Sequence, residues 1–416
     1  MRFTPALFDH AEDALSAILT FEYPADAVLS HYFRNHREMG HADRGFVAEA
    51  CFSTLRRLRS LSARCPDDRS RKLLLAAMFC LRGWNLKQMA PVLKEGDAEW
   101  LAAAKAVNAD DWPMAVRCDL PDWLFERLSA RYPGDIEALA AALNRPASLD
   151  LRVNSLKATR EDVLKRLRAD GMAAEACIYS PLGIRLEEKP ALSRHPLFLD
   201  GSIEVQDEGS QLLGYLVAPK RGEMVIDFCA GAGGKTLLLG AMMRSSGRLY
   251  AFDVAEKRLA NLKPRLARSG LSNVHPVRIE SENDIKVKRL AGKLDRVLVD
   301  APCSGLGTLR RNPDLKWRQS PESVAELAAK QAAILTAAAR LVKSGGRLVY
   351  ATCSLLAEEN EEVVTTFLAA HPDFSLLNAH EILSQQGIDL GDETALRLLP
   401  HVHGTDGFFA MAMERK

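Results

Sequence analysis

The sequence predicts an α/β protein: a Rossmann-like domain with a doubly wound, mostly parallel sheet over residues 205–416, preceded by an all-α domain over 1–144 and a small α+β unit over 145–204. Three observations predict it. Short β-branched or aromatic runs alternate with amphipathic helical stretches from Val205 onward, the pattern of βαβ units. Apolar residues recur at three- and four-residue spacing before Leu143. Between these regions lies a turn-rich break, Asn144-Arg-Pro-Ala-Ser148.

In the N-terminal region the helical pattern covers Ala11 to Leu19, Phe46 to Leu61, Leu73 to Leu81 and Trp123 to Leu128, punctuated by prolines at 24, 66, 91, 113, 121 and 133. Its arginines, including Arg34, Arg37, Arg44, Arg56, Arg57, Arg59, Arg64, Arg69 and Arg71, outnumber nearby acids. A solvated helix face accounts for them, and a nucleic-acid-facing surface is the alternative. Next come a strand at Leu149 to Val153, a helix from Arg160 to Asp170 stopped by Gly171, and strand-like segments at Cys177 to Tyr179 and Gly183 to Leu186. So small a unit is expected to pack on the large C-terminal domain.

In the Rossmann-like region, strands are expected at Met224 to Phe228, Arg248 to Asp253, Val274 to Ile279, Leu294 to Asp300 and Arg347 to Ala351. Helices are expected at Lys235 to Met243, Glu256 to Ser269, Pro321 to Val342 (stopped by Ser344-Gly-Gly346) and Glu358 to Ala370. Leu396 to Leu399 and Phe408 to Met413 read as two more strands joined by a turn.

Composition excludes several classes. With 47% hydrophobic and 26% charged residues, the chain suits an ordinary globular protein. Eight cysteines include no Cys-x-x-Cys pair, so neither a disulfide framework nor a zinc ribbon is indicated, and reduced thiols in a cytoplasmic setting fit. No stretch approaches the roughly 18 apolar residues of a membrane span, and the start reads as no signal peptide. No metal is expected, and a monomer is favoured. The net charge of +1 neither demands nor forbids a nucleic-acid partner.

Asp227-Phe-Cys-Ala-Gly-Ala-Gly-Gly-Lys-Thr236 follows the first strand of the large domain and opens a helix, so its amides face any bound ligand. A Walker A loop ending in Gly234-Lys-Thr236 would need glycine at position 229, which is cysteine. A dinucleotide fingerprint starting at Gly231 would need a small residue at 236, which is threonine. S-adenosylmethionine has no pyrophosphate and needs glycines only for close backbone approach. Asp253 at the next strand end then suits its ribose hydroxyls.

Two cysteines, Cys303 in Asp300-Ala-Pro-Cys303 and Cys353 in Tyr350-Ala-Thr-Cys353, each lie just past a buried-strand pattern. In an open α/β sheet that carboxyl edge gathers ligands, and neighbouring strands lie about 4.8 Å apart. Such a thiol pair suits the methylation of a pyrimidine. A thiolate adding to carbon 6 of cytosine makes carbon 5 nucleophilic enough to take a sulfonium methyl, and loss of the carbon 5 proton and then of the thiol restores aromaticity. Asp300 is placed to hold the polar edge of the base.

These motifs, with Gly305-Leu-Gly-Thr-Leu-Arg-Arg-Asn-Pro-Asp-Leu-Lys-Trp317, Ser354-Leu-Leu-Ala-Glu-Glu-Asn360 and Thr405-Asp-Gly-Phe-Phe409, resemble the RsmB/Sun family of RNA cytosine-5 methyltransferases over residues 145–416. Arg152-Val-Asn-Ser-Leu-Lys157 resembles that family's small RNA-recognition-like subdomain, and the helical N-terminus loosely resembles its NusB-like domain. The resemblance implies that Cys353 is the nucleophile, that Cys303 assists product release, and that Asp300 touches both methionine end and base. It implies a cofactor site made of Cys229, Ala230, Gly231, Ala232, Gly233, Gly234, Lys235, Asp253, Arg258 and Asp300, with Asp284 chosen over Glu282 as the adenine-side acid. Here Gly231-Ala232 replaces the family's commoner Ala-Pro. For RNA, Arg310, Arg311, Lys316, Trp317, Arg152 and Asn154 are expected contacts, with a structured loop that holds Trp317 in a core as the alternative for the stretch after Cys303. Ribosomal RNA is favoured over transfer RNA, with a ribosome-assembly role as the non-enzymatic rival. An amino-group methyltransferase would want Asn/Asp-Pro-Pro-aromatic where Asp300-Ala-Pro-Cys303 stands.

Overall fold

A computed structural model describes residues 3–65 and 69–416, so the break expected at Pro66 lies outside the described residues. The chain forms two compact units, one of Met1–Pro146 with Thr308–Pro321 and one of Ala147–Gly307 with Glu322–Lys416. The first is helical. Thr4 caps the helix Pro5–Ile18 by accepting the amide of Leu7, with proline at the first position where its missing N–H costs nothing. The apolar stripe Phe8, Ala11, Leu15 and Ile18 then packs with Leu55, Leu61 and Leu73 to Leu75. The continuous helix expected over Phe46 to Leu61 breaks at Arg57 into His41–Arg56 and Leu58–Arg64.

The arginine excess of this unit serves neither expected purpose alone. Arg56 is buried, Arg57 pairs with Asp119, Arg71 with Asp97 at 2.8 Å, and Arg64 donates to the Ala104 carbonyl at 2.7 Å. Much of the charge ties helix to helix.

The second unit holds two sheets. The smaller is antiparallel: β1 (Leu149–Val153), β2 (Ala174–Ala176), β3 (Gly183–Leu186) and β4 (Ile203–Val205), in the order β2-β3-β1-β4. The helix Arg160–Ala169 covers it through Val163 and Leu167. The strand expected at Cys177 to Tyr179 sits three residues earlier, and Ile178 and Tyr179 form a bend instead. The boundary expected after residue 204 falls inside β4, whose Val205 pairs with Leu151.

The larger sheet comprises β5 (Met224–Asp227), β6 (Arg248–Asp253), β7 (Val274–Arg278), β8 (Leu294–Asp300), β9 (Val342–Thr352), β10 (Phe374–Leu377), β11 (Leu396–Leu398) and β12 (Phe408–Arg415). Its order is β10-β12-β9-β8-β5-β6-β7, with β11 also on β12; β7, β6, β5, β8 and β9 run parallel, and β12 is antiparallel to β9. Strand order reverses at β5, and the crevice there opens at the carboxyl ends of β5, β6 and β8. The helix expected to reach Val342 ends at Ala339, and β9 starts at Val342. Gly345, at φ +71°, and Gly346 make a bulge against β8 where a helix stop was expected.

Candidate active site

The glycine-rich loop fixes one end of the candidate site. Gly231 and Gly233 both have positive φ, +56° and +82°, a conformation that favours glycine. At Gly233 a Cβ would meet Leu262 at 2.2 Å, so this glycine also lets the loop seat on the helix Glu256–Ser269. Asp253, only 5% exposed, accepts the amide of Gly231 on one carboxylate oxygen at 2.8 Å and that of Ala255 on the other at 2.7 Å. Each oxygen keeps a further lone pair for a ligand hydroxyl.

A cavity of about 430 Å³ runs along this carboxyl edge. Asp253, Val254, Ile279, Glu282 and Arg258 line one end, and Asp300, Pro302, Cys303 and Cys353 the other, with Lys330 and Ile334 beside them. Val254 is 51% exposed, an apolar face open beside an acid. That combination fits the adenosine of S-adenosylmethionine: an acid for ribose hydroxyls, aliphatic walls for the ring and a second acid, Glu282, for its amino group.

Register brings the two thiols together. Asp300 on β8 lies opposite Ala351 on β9, and the chains that continue from them place Cys303 Sγ 3.2 Å from Cys353 Sγ. The Cys353 amide also points at Cys303 Sγ, at 3.3 Å. The neighbouring Cys353 thiol and burial hold the Cys303 thiol well above its ordinary pKa. Burial does the same to Cys229.

Lys235 donates to Asp300 at 2.7 Å; burial opposes its charge, but Asp300 outweighs burial and lifts its pKa. Beneath them Asp227 is fully buried, accepts the Thr236 hydroxyl at 2.7 Å and is pushed up to about 7 by burial.

A glycine pair completes the frame. Gly307 donates to the Cys353 carbonyl and accepts from the Gly407 amide, each at 2.8 Å. Both glycines sit inside motifs already read from the sequence, yet only the close approach of three backbones shows why side chains are missing there.

Several expected residues lie elsewhere. Asp284 is a helix cap: its carboxylate accepts the amides of Lys286 and Glu280, while Glu282 lines the cavity, which corrects the choice between them. Arg152 and Asn154 are buried struts of the second unit. Arg152 donates to Gln206 at 2.6 Å and to the Gly234 carbonyl at 2.7 Å, and Asn154 to the carbonyls of Gly201 and Ser269. Buried in these bonds, they steady the glycine-rich loop and the end of the helix Glu256–Ser269; they do not present to RNA. Ala232 and Gly234 serve the loop through their carbonyls, which take Arg265 and Arg152.

Lys316 and Trp317 likewise turn inward, within the helical unit. Lys316, 1% exposed, donates to the Arg56 carbonyl and to Asn144, both at 2.8 Å, and the Trp317 indole donates to the Leu55 carbonyl at 2.9 Å. Arg310 is 9% exposed and its carbonyl accepts from Arg56. Arg311, half-buried, stays a candidate for RNA.

The chain matches two family models, 16S rRNA methyltransferase RsmB/F over residues 214–414 and the RsmF/B-like ferredoxin-like domain over residues 120–193. It is 32% identical over 333 residues to a probable ribosomal RNA small subunit methyltransferase B of Bacillus subtilis, covering 78% of this chain and 73% of that one. With the corresponding Synechocystis protein it shares 39% over 301 residues, which is 71% of this chain and 66% of the relative, so the match spans about two thirds of such relatives. Among solved structures, a methyltransferase homolog protein from Pyrococcus horikoshii is 31% identical with a TM-score of 0.63, covering 74% of this chain and 100% of that one.

Proposed function

This chain belongs to the RsmB/F methyltransferase family, and from that premise we propose that it methylates carbon 5 of a cytosine in ribosomal RNA, using S-adenosylmethionine and a covalent cysteine adduct. The observation that carries the reading is the 3.2 Å approach of Cys303 and Cys353 in the lining of the cavity that Asp253 also lines.

When bound, the cofactor supplies a sulfonium methyl group beside the thiols. Cys353 Sγ, as thiolate, bonds to carbon 6 of an extruded cytosine, and the electrons of the 5,6 double bond pass into an enamine that makes carbon 5 nucleophilic. Asp300, with one oxygen held by Lys235, offers its other oxygen to the amino edge of the base. After carbon 5 has gained its methyl group, its proton passes to the Cys303 sulfur, which has given its own proton to solvent; the electrons of the broken C–H bond restore the 5,6 double bond, the carbon 6–sulfur bond breaks and Cys353 leaves as thiolate. Cys303 lies beside that sulfur and assists this last step.

The test is to incubate the protein and its Cys303→Ala variant with S-adenosylmethionine and RNA from cells lacking it. A variant stalled as a covalent protein–RNA adduct, lost in Cys303→Ala/Cys353→Ala and mapping to one ribosomal cytosine, is expected. Cofactor binding without adduct or 5-methylcytosine in any form of the protein would refute the reading.

A further inference from the structure

Behind the thiols lies a buried polar cluster that no step above uses. Its centre is Glu359, 0% exposed and without an ion-pair partner among the described residues. One carboxylate oxygen accepts the Ser304 amide at 2.8 Å and the Gln331 side-chain amide at 3.0 Å, and the other accepts the hydroxyls of Ser304 and Ser354. All four acceptor positions of the carboxylate are thereby filled.

We propose that Glu359 is the positioning residue of the active site, a single carboxylate that sets the spacing of the two thiols by gripping the residue that follows each. Ser304 follows Cys303 and Ser354 follows Cys353, so both strand-end turns are fastened to one rigid group. The residues that precede the thiols are held by the same cluster. Gln331 donates to the Pro302 carbonyl at 3.0 Å, and Thr352 donates to Asn360, next to Glu359, at 2.5 Å. Tyr350 locks the assembly from below by donating to the Glu359 carbonyl at 2.6 Å.

A lone buried carboxylate is expensive to keep. Two hydroxyls and two amides offset that expense here, and an apolar core would fill the space without it. What an apolar core would not supply is direction, because packing tolerates sliding by fractions of an ångström and four hydrogen bonds do not. Covalent attack on carbon 6 with proton removal at carbon 5 needs the two sulfurs beside neighbouring atoms of one ring. A misplacement of about 1 Å costs on the order of 100-fold in rate.

The inference deepens the proposed function, and its test separates the two. Phenylarsine oxide condenses with two nearby thiols, forming two As–S bonds and releasing water, and so reports their spacing without RNA. The wild-type protein is expected to take it up across Cys303 and Cys353, protecting both from alkylation as read by peptide mass spectrometry. Glu359→Gln, checked for its melting temperature and cofactor binding, is expected to lose that bridging and to lower kcat by about 100-fold with KM for RNA altered less than about threefold. Glu359→Gln that folds, bridges and turns over like the wild type would overturn the proposal. If that variant does not fold, Ser304→Ala/Ser354→Ala removes the two hydroxyl struts and must show the same loss; retention of bridging and rate there also overturns it. Bridging lost in the variant while even the wild type makes no 5-methylcytosine leaves the positioning role standing and removes the proposed reaction.

Discussion

Replacing Gly307 with alanine should impair the active site without touching a reacting group. A Cβ at this position would lie 2.2 Å from the Gly407 carbonyl oxygen and 2.8 Å from that of Cys353, both backbone atoms with no side-chain freedom to yield. A carbon rests about 3.3 Å from such an oxygen, so the turn at Gly407 or the one after Cys353 must retreat by about 1 Å. The two 2.8 Å backbone hydrogen bonds of Gly307 stretch as that happens. At about 1 kcal/mol each they imply a loss near 2 kcal/mol of stability. The same displacement at Cys353 implies about 100-fold in kcat. Denaturant unfolding and single-turnover methyl transfer measure the two effects. Gly45→Ala is the control: a Cβ there meets nothing within 4 Å inside the helix His41–Arg56, and alanine should add about 0.5–1 kcal/mol. Gly307→Ala with wild-type turnover and stability would refute the argument from backbone approach.

Glu282→Ala should weaken S-adenosylmethionine binding by about tenfold, the worth of one hydrogen bond to a charged group, whereas Asp284→Ala should leave affinity unchanged by calorimetry and disturb only the helix cap. Asp227 should make stability fall with rising pH. Its folded pKa of about 7 lies above the unfolded carboxylate value of 3.8, so its stabilisation is complete below pH 3.8 and is lost as pH climbs through 7. Asp227→Asn should flatten that slope and raise stability at pH 8 by up to about 4 kcal/mol, read from urea midpoints across pH 5 to 8. Lys316 has the opposite sign. Burial lowers it from 10.5 to about 7 while Asp119 resists, so the stability it contributes is present above 10.5 and is lost as pH falls through 7. Lys316→Met should abolish that dependence in pH-jump unfolding, and an unchanged profile would contradict the burial of a neutral amine.

The sequence by itself determined the succession of strands and helices in the catalytic unit, because apolar periodicity and glycine stops act within a few residues. Strands β1, β3 and β6 and the helix Glu256–Ser269 fall where the pattern puts them. It determined the glycine-rich loop, whose positive-φ glycines are a local demand, and the position of both cysteines just past strand ends. What it could not decide was direction and company. A linear reading takes Arg152 and Asn154 for RNA contacts and leaves Lys316 and Trp317 open between RNA and a core, since charge beside an aromatic carries no mark of burial. The carbonyl that accepts from Lys316 lies 260 residues away along the chain, and only the folded helical unit brings it near. Asp284 and Glu282 are alike as letters, and a helix cap claims one of them. The thiol pair, the glycine clasp and the carboxylate of Glu359 likewise exist only once β8 and β9 lie side by side, because burial and hydrogen-bond partnership are set by chain segments that meet in space.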